Sequence, residues 1–352
     1  MTLLEHTLTS IPPLDHEADR QVQVLLDKKT KPRRSLGKLE DIACQVAAIR
    51  GTVHLPVPQK AIVVMAADHG VAEEGISAYP QEVTAQMLLN FARGGAAINV
   101  LARHVGAKVV LVDMGVKGDL PKVPEVRSLR VAPGTQNLSR CQAMTREQAV
   151  ASLERGIQVA GELVDEGISL IAIGDMGIGN TTSSSALVAA FMGVSSSEVT
   201  GRGTGLDDAG LFRKIAVVQR ALDLHRPDPS RPLDVLACLG GLEIAGLAGV
   251  VLGAAARRVP VIMDGFIAST AALVAARLSP RAKDYLIASH RSVEVGHRLV
   301  LKSLEKRPYF DLDLRLGEGT GAALTMGLVD AAVKILSEMA TFEDAGVSDT
   351  GA

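Results

Sequence analysis

The chain has 352 residues, with 37 Lys+Arg against 39 Asp+Glu for a net charge of −2, 47% hydrophobic and 22% charged residues, and only 3% aromatics with no Trp. These proportions exclude a disordered or fibrous chain, and they leave neither a basic excess nor an aromatic platform for nucleic acid. The length suits two domains, or one large domain with an appendage, at roughly 150 residues each.

The first segment, MTLLEHTLTSIPPLDHEADR, lacks the basic start and continuous apolar run of a signal peptide. The longest clean apolar stretch, Ile244 to Ala256, is 13 residues, short of the about 20 that a bilayer span needs. A cytoplasmic location and no membrane partner are the expectation. Asp15 can cap a helix predicted through about Lys28, TKPRRSLG reads as a turn, and helical periodicity resumes at Leu39 in LEDIACQVAAIR, so the chain opens on a helical arm.

Beyond Val57 the texture changes to short apolar runs that end in Gly, Asp or His: Ala61–Ala66 before ADHG, Lys108–Val112 before DMG, Ile168–Ile173 before GDMG, Val259–Met263 before DGF and Tyr285–Ala288 before SH. Stretches with helical spacing separate them, among them Val83–Phe91, Arg146–Val164, Leu206–Leu222 and Ala271–Arg277. Apolar strands alternating with helices predict an α/β fold, a parallel sheet covered on both faces. Ligands of such sheets bind beyond the carboxyl ends of the strands, where these loops lie. HRPDPSRP at 225–232 reads as a proline-rich connector, and 341–352 as a polar, frayed tail. Cys44, Cys141 and Cys238 are widely spaced and outside any CxxC pattern, which reads as reduced, buried filler.

Three glycine-bearing loops carry the candidate chemistry. IAIGDMGIGNTT runs strand, loop, helix; Gly174, Gly177 and Gly179 let backbone approach a ligand, and Asn180, Thr181 and Thr182 can cap the helix, an arrangement that favours an anion such as phosphate or serves only as a packed turn. The order G-x-x-G-x-G matches neither the dinucleotide fingerprint nor a P-loop. TGRGTG repeats the logic at Gly201, Gly203 and Gly205, with Lys214 two turns on, either a partner for that anion or a solvated surface cation. In LRLGEGTGAA, Glu318 stands between Gly317 and Gly319 before a small-residue helix, as a helix-dipole partner or a positioned base.

Asp68, His69, Asp113, Asp264, His290 and His297 form a competing set for a metal, without a strong ligand spacing. The plainer reading has Asp68 and His69 orienting their turn and Asp264 capping the segment after its own strand. No GxSxG elbow or Cys–His signature supports a covalent nucleophile.

Taken together, TKPRRSLGKLE at 30–40, ADHGVAEEGISAYPQEVTAQM at 67–87, GDMGIGNTT at 174–182, TGRGTG at 200–205, GGLEIAGLAG at 240–249, DGFIASTAAL at 264–273, SHRSVEVGH at 289–297 and LRLGEGTGAA at 314–323 resemble the nicotinate-nucleotide:dimethylbenzimidazole phosphoribosyltransferase family over nearly the whole chain. The resemblance implies a Rossmann-like parallel sheet with helices on both faces, and a homodimer. It also implies a small helical domain from the chain ends: 1–55 as the helical arm, 56–330 as the catalytic α/β domain, and 331–352 as the end of a C-terminal helix and its tail.

The reaction it implies joins nicotinate mononucleotide and 5,6-dimethylbenzimidazole to give α-ribazole 5′-phosphate and nicotinate, in cobalamin nucleotide-loop assembly, with no metal or other cofactor. Glu318 matches the family's general base. Asp175 stands where many members have Glu, one methylene longer, so its share in catalysis is less secure. Gly177, Gly179, Asn180, Thr181, Gly203, Lys214 and Gly265 then hold the phosphoribosyl group, and Tyr79, Gln86, Met87, Met176 and Leu316 form the acceptor pocket. The alternatives are a metal-dependent sugar-phosphate hydrolase built on Asp68, His69 and Asp264, and a non-catalytic nucleotide-binding protein.

Overall fold

The computed structural model describes residues 1–118 and 120–348. Six parallel strands, β1 (Lys60–Ala67), β2 (Lys108–Gly115), β3 (Val126–Ser128), β4 (Leu170–Met176), β5 (Val261–Met263) and β6 (Leu286–Ala288), form one sheet in the order β3-β2-β1-β4-β5-β6. The helices are α1 (Leu3–Ser10), α2 (His16–Asp27), α3 (Lys38–Arg50), α4 (Val83–Ala92), α5 (Ala97–Val105), α6 (Arg146–Asp165), α7 (Asn180–Met192) and α8 (Ser196–Val199). They continue with α9 (Asp208–His225), α10 (Pro232–Leu239), α11 (Leu242–Ala256), α12 (Phe266–Leu278), α13 (Val295–Ser303), α14 (Thr320–Glu338) and α15 (Phe342–Ala345).

The central strands are apolar on both faces because both faces are covered. On β1, Ala61, Val63, Met65 and Ala67 join the core beneath α6, α7, α10, α11 and α12, while Ile62, Val64 and Ala66 join a second core with α2, α3, α4, α5 and α14. Strand order reverses at β1, which pairs with β2 on one side and β4 on the other. A crevice opens beyond the carboxyl ends of β1 and β4, the switch point at which open α/β sheets bind ligands.

The two chain ends are tied together within that second layer. Thr30 N–H donates to the Ala340 carbonyl at 3.1 Å and Lys29 Nζ to the Met339 carbonyl at 2.6 Å. Beside them the buried Lys31–Glu40 pair closes at 2.9 Å. The helices from the chain ends share the sheet's core.

Several features depart from the expectations. β3 spans three residues, Val-Arg-Ser, too short and polar for a periodicity signal. The segment from Thr341 is not frayed where it begins: Thr341 caps α15 through Asp344 N–H at 3.0 Å, and Val347 N–H donates to the Phe342 carbonyl. The rest of that tail, 349–352, lies outside the described residues. Cys141 is exposed rather than interior, whereas Cys44 is buried, and burial pushes its thiol up to about 12. The 13-residue apolar stretch lies within α11 and is buried up to Ala255, with Ala256 partly buried. α14 is long and apolar enough to cross a bilayer, yet its apolar residues pack on the sheet.

Candidate active site

The crevice has an acidic end built from β4, β5 and the start of α14. Asp264 leaves the end of β5 fully buried, and its carboxylate accepts the N–H of Gly319 at 3.1 Å and of Ala322 at 3.0 Å. It therefore caps α14, across the sheet, rather than the helix after its own strand. This grip holds Glu318 in the left-handed region at φ +62°, between Gly317 at +84° and Gly319 at +92°. A non-glycine residue there stores about 1 kcal/mol or more of backbone strain. Gly174 is needed beneath it, since a Cβ at that position would run into the backbone of Glu318 and Gly319.

Glu318 is only 5% exposed, and its Oε2 has no partner. Burial pushes its carboxyl up to about 7, opposed by the Ile98 N–H at the start of α5 and aided by the charge of Asp264. Asp175, at the end of β4, accepts from Asn180 Nδ2 at 2.8 Å. Burial, then the charges of Asp264 and Glu243, hold its carboxyl well above the usual carboxylate range. Asp264 is itself raised by burial, against the opposing pull of His290 and the backbone N–H groups.

The other end is cationic. Lys214, on α9, is fully buried, so the surface-cation reading fails. Its Nζ donates to Thr181 Oγ1 at 2.8 Å and lies beside Gly203, so one ammonium group touches both glycine loops. Burial pulls it down to about 8, and the carboxylate of Glu294 works against that shift. The expected caps of α7 do not form. Gly179 is the N-cap, with no side-chain bond, while Asn180 turns to Asp175 and Thr181 to Lys214. No side chain closes the first turn of α7, although the Asn180 and Thr182 N–H groups donate to the Gly177 and Gly179 carbonyls, and an uncapped helix end of this kind favours an anion.

Asp175, Gly177, Asn180, Thr181, Gly203 and Gly265 all line one cleft, and of the acceptor set Met176 and Leu316 line it too. Gly179, Lys214 and Glu318 stand behind that lining. Glu318 follows the lining residue Gly317, whose α-carbon faces the Asp175 carboxylate. Tyr79 and Gln86 are exposed and Met87 is half-buried, none of them in the lining. Thr84, on the same helix as Gln86 and Met87, accepts the Ile178 N–H at 3.1 Å, which puts that helix at the rim.

The six-residue metal set does not assemble. His69 Nε2 pairs with Glu243 Oε1 at 2.6 Å, Asp68 accepts the Lys117 N–H at 2.7 Å, and Asp113 accepts from the Gly115 and Val116 N–H groups at the end of its own strand. His297, pulled down to about 3 by burial, meets Ser269, while His290 approaches Asp264 at 3.8 Å. Among the described residues no three His, Cys, Asp or Glu side chains are placed to hold a metal.

Sequence reasoning missed Glu243 and Glu294 as site groups. Each carried a signal: Glu243 is the one charge in GGLEIAGLAG, and Glu294 lies in the SHRSVEVGH motif.

A sheet in this order, with a switch-point cleft that sets a buried lysine and open helix N-terminus against a raised carboxyl group, defines an α/β enzyme for a phosphorylated small molecule. The family model described as "Phosphoribosyltransferase" matches residues 11–347. The nicotinate-nucleotide–dimethylbenzimidazole phosphoribosyltransferase of Chloroflexus aggregans is 57% identical over 99% of this chain and 99% of its own, and that of a Roseiflexus species is 58% identical over the same shares. The crystal structure of the Thermus thermophilus enzyme of that name superposes with a TM-score of 0.90 at 47% identity, covering 96% of this chain and 100% of the other. The chain belongs to the nicotinate-nucleotide–dimethylbenzimidazole phosphoribosyltransferase family.

Proposed function

We propose that the protein transfers the phosphoribosyl group of nicotinate mononucleotide to 5,6-dimethylbenzimidazole, giving α-ribazole 5′-phosphate and nicotinate for cobalamin nucleotide-loop assembly. One ring nitrogen of the acceptor attacks the anomeric carbon from the face opposite nicotinate. The new C–N bond forms as the old one breaks, and the bonding pair leaves on a pyridinium nitrogen that is already cationic. Inversion from β to α follows from the opposed faces. The acceptor's other nitrogen then gives up its proton, and Glu318 takes it.

The observation that carries this reading is Glu318 itself. It is held on a left-handed turn by Asp264, with a carboxyl pushed up to about 7, close to the pH at which a base must accept and release protons. Asp175, bonded to Asn180 and held towards its protonated form, orients the reacting groups rather than competing as base. The 177–181 loop, Gly203, Gly265 and Lys214 take the phosphoribosyl group, with the 5′-phosphate at the open end of α7. Met176 and Leu316 offer the aromatic acceptor an apolar wall, and Tyr79, Gln86 and Met87 stand at the rim. The chemistry needs no cofactor. The enzyme works in the cytoplasm as a homodimer, with 1–55 and the C-terminal helix as its smaller helical part.

Incubating the purified protein with nicotinate mononucleotide and dimethylbenzimidazole without added metal tests the reading. The expected product is α-ribazole 5′-phosphate, identified by mass and anomeric configuration. A β-linked product, or ribose 5-phosphate released with no acceptor attached, overturns it.

A further inference from the structure

Glu294 is the acid of the cleft with nothing to do. It is the N-cap residue of α13, and its side chain makes no capping bond to that helix. Instead it lines the cleft at 9% exposure. Its Oε2 is buried without a hydrogen-bond partner, and no Lys, Arg or His among the described residues comes within ion-pair distance of it. Gly201 makes room for it, because a Cβ at that position would collide with Oε2. A buried carboxylate left unpaired is costly, so an unpaired one built into a ligand cleft calls for a ligand that donates to it.

The neighbouring acids are accounted for: Asp175 accepts from Asn180, Asp264 from two backbone N–H groups, and Glu318, which accepts from the Ile98 N–H and also keeps a free oxygen, stands behind the lining as the base of the reading above. Glu294 is also the carboxylate that acts on Lys214, and its charge repels a phosphate. The group it suits is therefore neutral, rich in O–H donors, and adjacent to a phosphate held by Lys214.

We propose that Glu294 is the subsite for the ribose hydroxyls of the donor, a carboxylate that accepts from the vicinal 2′- and 3′-OH. This rests on the donor reading above and deepens it. The two glycine loops and Lys214 then take the phosphate, at Thr181 and Gly203, and the segment before α13 takes the sugar, at Glu294.

The test is a cycle of Glu294→Ala against donor hydroxyls, read by calorimetric titration of nicotinate mononucleotide and its 2′-deoxy and 3′-deoxy analogues into both proteins. Glu294→Ala is expected to weaken the mononucleotide by roughly tenfold to a hundredfold, the span of a charge-assisted hydrogen bond. At least one deoxy analogue should lose a similar factor on the native protein and almost nothing further on the variant. Glu294→Gln, which keeps one acceptor oxygen, should fall between. Equal discrimination against the deoxy analogues by both proteins overturns the subsite, as does tighter mononucleotide binding by the variant. If inorganic phosphate affinity falls by the same factor, Glu294 acts only through Lys214 and the assignment also fails. A native protein that neither binds nor converts nicotinate mononucleotide would sink the donor reading, and the subsite with it.

Discussion

The two ends of the cleft are built alike and charged oppositely. Each rests on a loop that runs into a helix N-terminus, and each hides its ionisable group behind a glycine: Lys214 beside Gly203, Glu318 after Gly317. Burial disfavours charge at both, which pulls Lys214 down to about 8 and pushes Glu318 up to about 7. The surroundings then differ. The lysine stands with one hydroxyl and an opposing carboxylate, so its charge is sustained, whereas the glutamate stands near other acids that press it towards the neutral form. One physical effect thus prepares one end to hold an anion and the other to exchange a proton.

The largest expected effect breaks the acidic end. Glu318→Gln keeps shape and removes proton affinity, so it should fold, bind both substrates and lose about 10²–10⁴-fold in turnover. Near-normal turnover at neutral pH would rule Glu318 out as the base. Asp175→Asn is the contrast: an orienting group should cost less than Glu318→Gln, and an equal loss would require the two carboxyls to act as one unit.

Breaking the cationic end should cost binding instead. Lys214→Ala removes a charged partner of the phosphate, worth about 1.5–3 kcal/mol, which is roughly tenfold to a hundredfold in mononucleotide affinity. Nicotinate riboside offers no phosphate, so its binding should hardly change. Equal losses for riboside and mononucleotide would place the phosphate elsewhere.

The two shifted groups also set a pH window. Glu318 accepts a proton only when ionised, so activity should rise with pH through about 7; Lys214 holds phosphate only when protonated, so it should fall again above about 8. Beyond either limb the rate should change by about tenfold per pH unit, since one proton is involved. In Lys214→Met the alkaline limb should vanish while the acid limb stays near 7. A profile flat from pH 5 to 9 in the native protein would contradict both assignments.

How much of this the sequence carried differs by element. Strands such as Ala61–Ala66 were legible because double burial demands an unbroken apolar run, and loops were legible because glycine, Asp and His interrupt those runs. β3 was not, since three residues of Val-Arg-Ser carry no period. Glu318 stood out between two glycines, and Asp264 stood out as a metal candidate or a cap for its own segment, but the link between them did not, because the cap Asp264 makes joins positions far apart in sequence. Lys214 could not be placed because helical spacing says which residues share a face and not what that face meets. The acceptor set shows the same limit: Met176 and Leu316 reach the cleft, while Tyr79, Gln86 and Met87 do not, although all five lie in or beside motifs of equal clarity.

That division yields the smallest expected effect and sharpens the boundary of the acidic end. Met176 is half-buried at the end of β4 and Leu316 is largely exposed beside Gly317, so an aromatic acceptor seated near Glu318 would cover apolar surface on both. Burial contributes about 0.8 kcal/mol per methylene, and only part of the side chain is newly covered, so Met176→Ala or Leu316→Ala should raise the KM for dimethylbenzimidazole by about threefold to tenfold. The KM for the mononucleotide should stay put, because neither side chain belongs to the cationic end. Met87→Ala, on the rim helix, should move neither constant. For the same reason adenine, more polar and with less apolar surface to cover, should lose to dimethylbenzimidazole when the two compete at equal concentration. If Met87→Ala raised the acceptor KM as much as Met176→Ala does, α4 would have to swing inward over the bound base, and the acceptor site would extend from the sheet edge onto that helix.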